Sequence, residues 1–160
     1  MKKRGRKINW RVLIISILAV YLIAFVGSLF TSAGVSSEWY GSIKPAITPP
    51  GWVFPVVWNI LYLFIALSFY SSWISAKNKH GRRNLVVLFG VNLILNALWS
   101  YLFFSLQNPL LAFIDLTLIW LSIIFMMILT KNINIKSFYL LMPYFVWVSF
   151  AGFLNWMIAF

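Results

Sequence analysis

Five stretches of continuously apolar sequence alternate with short polar breaks. They are Val12–Phe30, Trp52–Ile74, Leu85–Leu106, Pro109–Thr130 and Phe138–Phe160, each 19 to 23 residues long. An α-helix needs about 20 apolar residues to cross the hydrocarbon core of a bilayer. Runs without apolar–polar alternation do not suit a membrane β-barrel, and in lipid the backbone polar groups must be satisfied within the segment. The pattern predicts an all-α membrane protein. It is a bundle of five transmembrane helices forming one domain over residues 1–160, with a basic tail at 1–11 and a long structured loop between the first two spans.

The breaks carry matching signals. Thr31–Ser37 is small and polar and contains Gly34; Ser42–Gly51 holds Pro45, Pro49, Pro50 and Gly51; Lys77–Arg83 is basic around Gly81. Gln107-Asn108-Pro109 places a proline at a helix start. Lys131–Lys136 makes the last turn. The basic segment Lys2–Lys7, the first run and Thr31-Ser32-Ala33 together look like a secretory leader with its cleavage site. The apolar core of a leader is only about 7–15 residues, so the expectation is a retained first helix.

Composition narrows the function. The chain is 62% apolar and 9% charged, against about 25% charged in soluble domains, which excludes an ordinary soluble fold and excludes disorder. Without cysteine there is no thiolate zinc site, iron–sulfur cluster or disulfide. His80 is the single histidine, and Glu38 and Asp115 are the only acids, far apart in sequence. No metal site is expected, and paired-carboxylate hydrolysis is a poor fit.

The net charge of +11 is a topology signal. With five spans, twelve of the thirteen basic residues fall on one side: Lys2, Lys3, Arg4, Arg6, Lys7, Arg11, Lys77, Lys79, Arg82, Arg83, Lys131 and Lys136. Lys44 alone falls on the other. The positive-inside rule puts the N-terminus in the cytoplasm and the C-terminus outside, in the cell membrane. Because the bases flank spans, anionic lipid headgroups are their expected partners, and nucleic acid is not.

Candidate chemistry lies on the outer side. The prolines of Thr31–Gly51 stiffen that connection into a lid, and Trp39, Tyr40 and Trp52 either border a site or anchor the interface. Asn92, Asn96 and Trp99 share one helical face, as do Trp147, Ala151 and Asn155. Asp115 lies about 9 Å into the fourth helix. An isolated mid-membrane Asp costs roughly 2.5–3.5 kcal/mol, so it is expected to face the interior and find donors. Interhelical hydrogen bonding, worth about 0.6–2 kcal/mol per contact, competes with ligand contact as the reading of Asp115, Asn155 and Asn96. Nine tryptophans exceed what packing requires. Trp52 and Trp147 are the sharpest candidates for stacking a flat apolar ligand, and Ala151 leaves room beside Trp147. Pro143 is expected to bend the fifth helix. Ala24, Gly27 and Ser28 permit close approach of the first helix to a neighbour.

The run Trp39-Tyr40, Lys44-Pro45, Pro49-Pro50-x-Trp52-Val53-Phe54-Pro55-x-x-Trp58-x-x-Leu61-Tyr62 resembles the signature of the TspO/MBR family, the tryptophan-rich sensory proteins that include the mitochondrial translocator protein. Phe25-Val26-Gly27-Ser28, Leu95-Asn96-x-x-Trp99-Ser100-x-x-Phe103-Phe104, Asp115-Leu116 and Pro143-Tyr144-x-x-Trp147-x-x-Phe150-Ala151-x-x-Leu154-Asn155 resemble its other helices, in order. Three departures stand out. The Trp39–Lys44 gap is a residue short, Asn92 replaces a usual glutamine, and the chain ends at Phe160 without the cholesterol-consensus motif of animal members, which argues against sterol import.

The resemblance implies a five-helix bundle, often a homodimer, with a cavity open towards the first loop that binds porphyrins, haem included, and other apolar ligands. No cofactor is required. On this resemblance the ligand residues are Tyr40, Pro45, Trp52, Phe54, Trp58, Asn92, Asn96, Trp99, Asp115, Tyr144, Trp147, Ala151 and Asn155. In some bacterial members light- and oxygen-dependent porphyrin breakdown is linked to two cavity tryptophans, which map by motif onto Trp52 and Trp147. Transport of tetrapyrroles or of lipids and sterols is the alternative, and the sequence leaves sensing, carriage and breakdown open. Independently of the family, His80 lies in the cytoplasmic connection, so tetrapyrrole binding is expected to proceed by stacking and shape, without a histidine ligand.

Overall fold

The computed structural model describes residues 8–160; the basic cluster Lys2–Lys7 lies outside the described residues. Polar side chains set most of the helix starts. Asn9 Oδ1 accepts from the Val12 amide (3.3 Å) to open α1 (Trp10–Val35). Ser37 opens a short helix, α2 (Glu38–Ile43), inside the long loop. The chain then forms α3 (Val53–Ser75). Asn78 Oδ1 accepts from Gly81 (2.7 Å) at the start of α4 (Lys79–Ser100), which continues as a π-helical segment, Tyr101–Ser105. Asn108 Oδ1 accepts from Leu111 (3.0 Å), with Pro109 beginning α5 (Pro109–Ile133). Each such bond satisfies an amide that the helix itself cannot. Asn134 both caps α6 (Ile135–Ala159) and donates its amide to Ser71 O and Ser75 Oγ, which ties the α5–α6 turn to α3.

Five of these helices are long and apolar enough to cross a membrane, as the apolar runs predict. Their bounds differ at the polar ends. Helix α1 runs on through Thr31–Val35, α4 begins at Lys79 rather than Leu85, and α5 and α6 are separated by Asn134 alone. Polar residues end an apolar run without ending a helix. The helix stops where a cap supplies the missing bonds.

The helix order in space follows from a few bonds. Asn9 N to Tyr70 OH (3.1 Å) and Tyr21 OH to the Asn59 carbonyl (2.9 Å) set α1 antiparallel to α3. Asn134 Nδ2 to Ser75 Oγ (3.1 Å) and Ser68 Oγ to the Ser137 carbonyl (2.9 Å) do the same for α3 and α6. Gly27 lies against Ala97, where a Cβ would meet Ala97 Cα at 3.5 Å, so the close approach of α1 is to α4 of the same chain. Gly34 is tighter still: a Cβ there would overlap the Phe104 ring. Among the described basic residues, Arg11, Lys77, Lys79, Arg82, Arg83, Lys131 and Lys136 lie at one end of the bundle, on the termini that these bonds bring together; Lys44 lies at the other. The largest fully buried apolar side chains, Ile65, Leu85, Ile123, Met126 and Leu141, fill the bundle between the helices. A smaller cluster, Phe103, Phe104 and Ala112, sits beneath the loop.

Candidate functional site

The loop is held down by aromatic contacts. Ser37 Oγ accepts from the Tyr40 amide (3.2 Å), and the Glu38 charge lies in the first turn of α2, where the helix dipole favours it. This places Trp39 and Tyr40 on Phe103 and Phe104, with ring centroids 5.6 to 6.1 Å apart and edge-to-face. The π-helical segment makes that platform. Its wider turn (Leu106 N to Tyr101 O, 3.0 Å) brings two consecutive rings, Phe103 and Phe104, to the inside. The chain leaves it through Gln107 at φ 50°, a left-handed conformation that costs a non-glycine residue. Burial against the platform raises the Tyr40 phenol above its ordinary value of 10.0, so the lid carries a neutral tyrosine.

Beneath the lid is a cavity of about 570 Å³, well inside the range that holds a drug-sized ligand. Tyr21, Ala24, Ser28 and Thr31 of α1 form one wall, and Phe54, Trp58 and Tyr62 of α3 a second. Asn96, Trp99 and Ser100 of α4 and Trp147, Ala151 and Asn155 of α6 complete it, with Tyr40 and Thr48 above. The rings brace one another. Trp99 stacks on Phe103 (5.1 Å), Trp58 on Tyr62 (5.2 Å), and Phe54 meets Trp147 edge-on (5.9 Å).

Behind the α4 wall runs a directed chain of hydrogen bonds. Asn96 Nδ2 donates to the Asn92 carbonyl (2.9 Å) and to Tyr144 OH (2.6 Å). Tyr144 donates to Asn92 Oδ1 (3.0 Å), Asn92 Nδ2 to Ser122 Oγ (2.8 Å), and Ser122 to the Ile119 carbonyl (2.6 Å). Backbone carbonyls only accept, so both ends of the chain are fixed and the amide orientations follow. On the loop side, Trp99 Nε1 donates to Asn155 Oδ1 (3.0 Å), and Asn155 Nδ2 to the Pro109 carbonyl (2.9 Å). Trp147 Nε1 and Thr48 Oγ1 are buried without a partner.

The structure brings Tyr40, Phe54, Trp58, Asn96, Trp99, Trp147, Ala151 and Asn155 together around this cavity. Asn92 and Tyr144 are fully buried behind it and act on it through Asn96. Pro45 sits in the loop turn that its carbonyl makes with the Thr48 amide. Trp52 is 68% exposed on the rim between Gly51 and Phe54, which line the cavity while Trp52 does not. Asp115 is buried, but the expectation that it finds donors is corrected. Neither carboxyl oxygen has a hydrogen-bond partner among the described residues. Helix α6 passes through Pro143 without interruption. His80 lies in the first turn of α4 beside Asn84, at the basic end and away from the cavity. Sequence reasoning missed the α1 wall as well as Tyr62, Phe103 and Phe104. The small-residue face Ala24, Gly27 and Ser28 was the available signal for α1, and the last three stand inside the quoted motifs.

Comparison with known proteins gives the family. The TspO/MBR family model matches residues 16–160. The tryptophan-rich protein TspO of Archaeoglobus fulgidus is 38% identical over 146 residues, covering 91% of this chain and 94% of that protein. The protein of the same name from Chlorobaculum tepidum is 36% identical over 136 residues, covering 85% and 86%. The translocator protein of Bos taurus is 31% identical over 137 residues, covering 82% and 79%. The family match spans all five membrane-crossing helices and the lid between the first two of them, and the chain belongs to the TspO/MBR family.

Proposed function

We propose that this multi-pass membrane protein binds porphyrins and other flat apolar molecules in the cavity under α2. On this reading the basic end faces the cytoplasm and the lid faces outside. The observation that carries the proposal is the cavity itself. A volume of about 570 Å³ is bounded by the indoles of Trp58, Trp99 and Trp147 and by the rings of Phe54, Phe103 and Phe104. Offset stacking and edge contacts with such rings recognise planar ligands at about 0.5–1.5 kcal/mol per pair beyond area burial. Basic residues at the bundle's other end hold anionic headgroups.

A porphyrin titration read by tryptophan fluorescence tests the proposal on wild type, Trp147→Phe and Trp52→Phe, in the dark and under light. Trp147→Phe is expected to weaken binding about tenfold, and Trp52→Phe less, given its place on the rim. Unchanged affinity in both variants removes the site. Photoproducts that vanish with Trp147→Phe support the light-dependent breakdown that the family resemblance implies; photoproducts unchanged in both variants remove that role. Iron and metal-free porphyrins are expected to bind about equally. A large preference for the iron form that His80→Ala abolishes would overturn stacking as the mode of binding.

A further inference from the structure

The hydrogen-bond chain behind the α4 wall leaves one atom uncommitted. Asn96 gives its Nδ2 to the Asn92 carbonyl and Tyr144, and the backbone carbonyl fixes which end of the amide is nitrogen. Its Oδ1 accepts nothing within the protein and is not among the sealed, unpartnered atoms, while Asn96 lines the cavity. Ser100 and Thr31, the nearby hydroxyls of that wall, already bond each other (3.2 Å). The amide of Asn155 is likewise spent at both ends. Every described residue lining the cavity is uncharged, with no Lys, Arg, His, Asp or Glu among them.

Two consequences follow from this arrangement. An anionic ligand group inside the cavity loses its water and meets no counter-charge, and beside Asn96 it faces a carbonyl oxygen, all of which disfavour it there. A ligand N–H or O–H satisfies the Asn96 Oδ1 acceptor. We propose that the cavity selects uncharged flat ligands that carry a hydrogen-bond donor, with Asn96 Oδ1 as the acceptor. A dicarboxylate tetrapyrrole would then bind with its acid groups kept out of the cavity, and its neutral diester would bind more tightly. This rests on the reading of the cavity as a ligand site.

Three probes on one planar skeleton test it with the full chain in nanodiscs, corrected against empty discs: 1-hydroxypyrene, 1-methoxypyrene and 1-pyrenecarboxylate. The expected order is hydroxy over methoxy by about tenfold, the worth of one net hydrogen bond, with the carboxylate about tenfold weaker again or worse. In Asn96→Ala the hydroxy-to-methoxy ratio is expected to fall to about one, and circular dichroism with the thermal midpoint reports that the variant is folded. If Asn96→Ala does not fold, the wild-type ratios alone decide. Equal binding of hydroxy and methoxy probes overturns the donor rule, and carboxylate binding as tight as methoxypyrene overturns the charge rule. Failure of all three probes to bind overturns instead the ligand-site reading beneath.

Discussion

The basic end of the bundle and the loop end use the same helices but are packed with different side chains. Towards the basic end, Ile65, Ile123, Met126 and Leu141 interlock with Ser68, Ser72, Thr130 and Ser137, all fully buried. Small hydroxyl residues let α3, α5 and α6 approach closely, and the bond from Ser68 Oγ to the Ser137 carbonyl pins α3 to α6. Towards the loop end, Trp58, Trp99, Trp147, Phe103 and Phe104 lean on one another around open space. Large rings prop helices apart where small residues draw them together. The bundle is therefore a tight foot that carries a hollow head.

The contrast breaks if the two ends respond alike to truncation. Ile123→Ala removes atoms from the foot and is expected to cost roughly 2–5 kcal/mol, towards the lower end because the unfolded reference also sits in lipid. Ile158→Ala removes atoms that already face the cavity and is expected to cost far less. Reversible unfolding in mixed micelles measures both, and equal losses would mean that the head is packed as tightly as the foot.

Next in size is a pair of glycines on α1. Gly34→Ala forces the helix off the Phe104 ring and is expected to destabilise by about 1–3 kcal/mol, loosening the lid. Gly27→Ala meets Ala97 at ordinary contact distance and is expected to be neutral or stabilising, since alanine favours the helix by up to about 1 kcal/mol. Thermal midpoints of the two variants separate the cases; the same drop in both would place α1 elsewhere.

Those glycines show what is legible from residues alone. Periodless apolar runs announce the five spans, and Asn108-Pro109 marks a helix start, because both are local properties of the chain. The extension of α1 through Thr31–Val35 is not legible as such. Gly34 reads as a breaker until Phe104, far along the sequence, is seen to occupy the space a side chain would need. Helix α2 is foreshadowed only by Ser37 followed by Glu38. The π-helical segment has no local signature, since one extra residue per turn changes no residue type, yet it decides that Phe103 and Phe104 both point inward. Motif resemblance collects Trp99, Trp147 and Asn155, which line one cavity. It also collects Tyr144 and Asn92, which support the wall from behind, and Trp52, which stands outside it.

A smaller effect is expected at the support behind the wall. Tyr144→Phe leaves Asn96 Nδ2 with the Asn92 carbonyl and side chain alone and strips Asn92 Oδ1 of its hydroxyl donor, for an expected loss of about 0.6–2 kcal/mol. The cavity's shape is kept, so methoxypyrene binding is expected to change little. Affinity for hydroxypyrene falls if Asn96 swings away. A variant as stable as wild type would reduce the chain of bonds to a bystander.

The smallest expected effect concerns the lid and needs no change in sequence. Tyr40 is half-buried on Phe103 and Phe104, and burial raises its phenol above 10.0. A raised folded-state value means the neutral form is the one the lid favours. The contribution is therefore complete below pH 10.0 and is lost as pH climbs through the folded-state value, because ionisation then sets a charge against two rings. Loosening of α2 should appear as faster ligand release at alkaline pH in wild type, and as a flat profile in Tyr40→Phe, which keeps both ring contacts and cannot ionise. The late phenolate absorbance that is present in wild type and missing in Tyr40→Phe locates the transition. Release that accelerates equally in both proteins would take the lid's pH response away from Tyr40 and leave the platform of Phe103 and Phe104 as its only anchor.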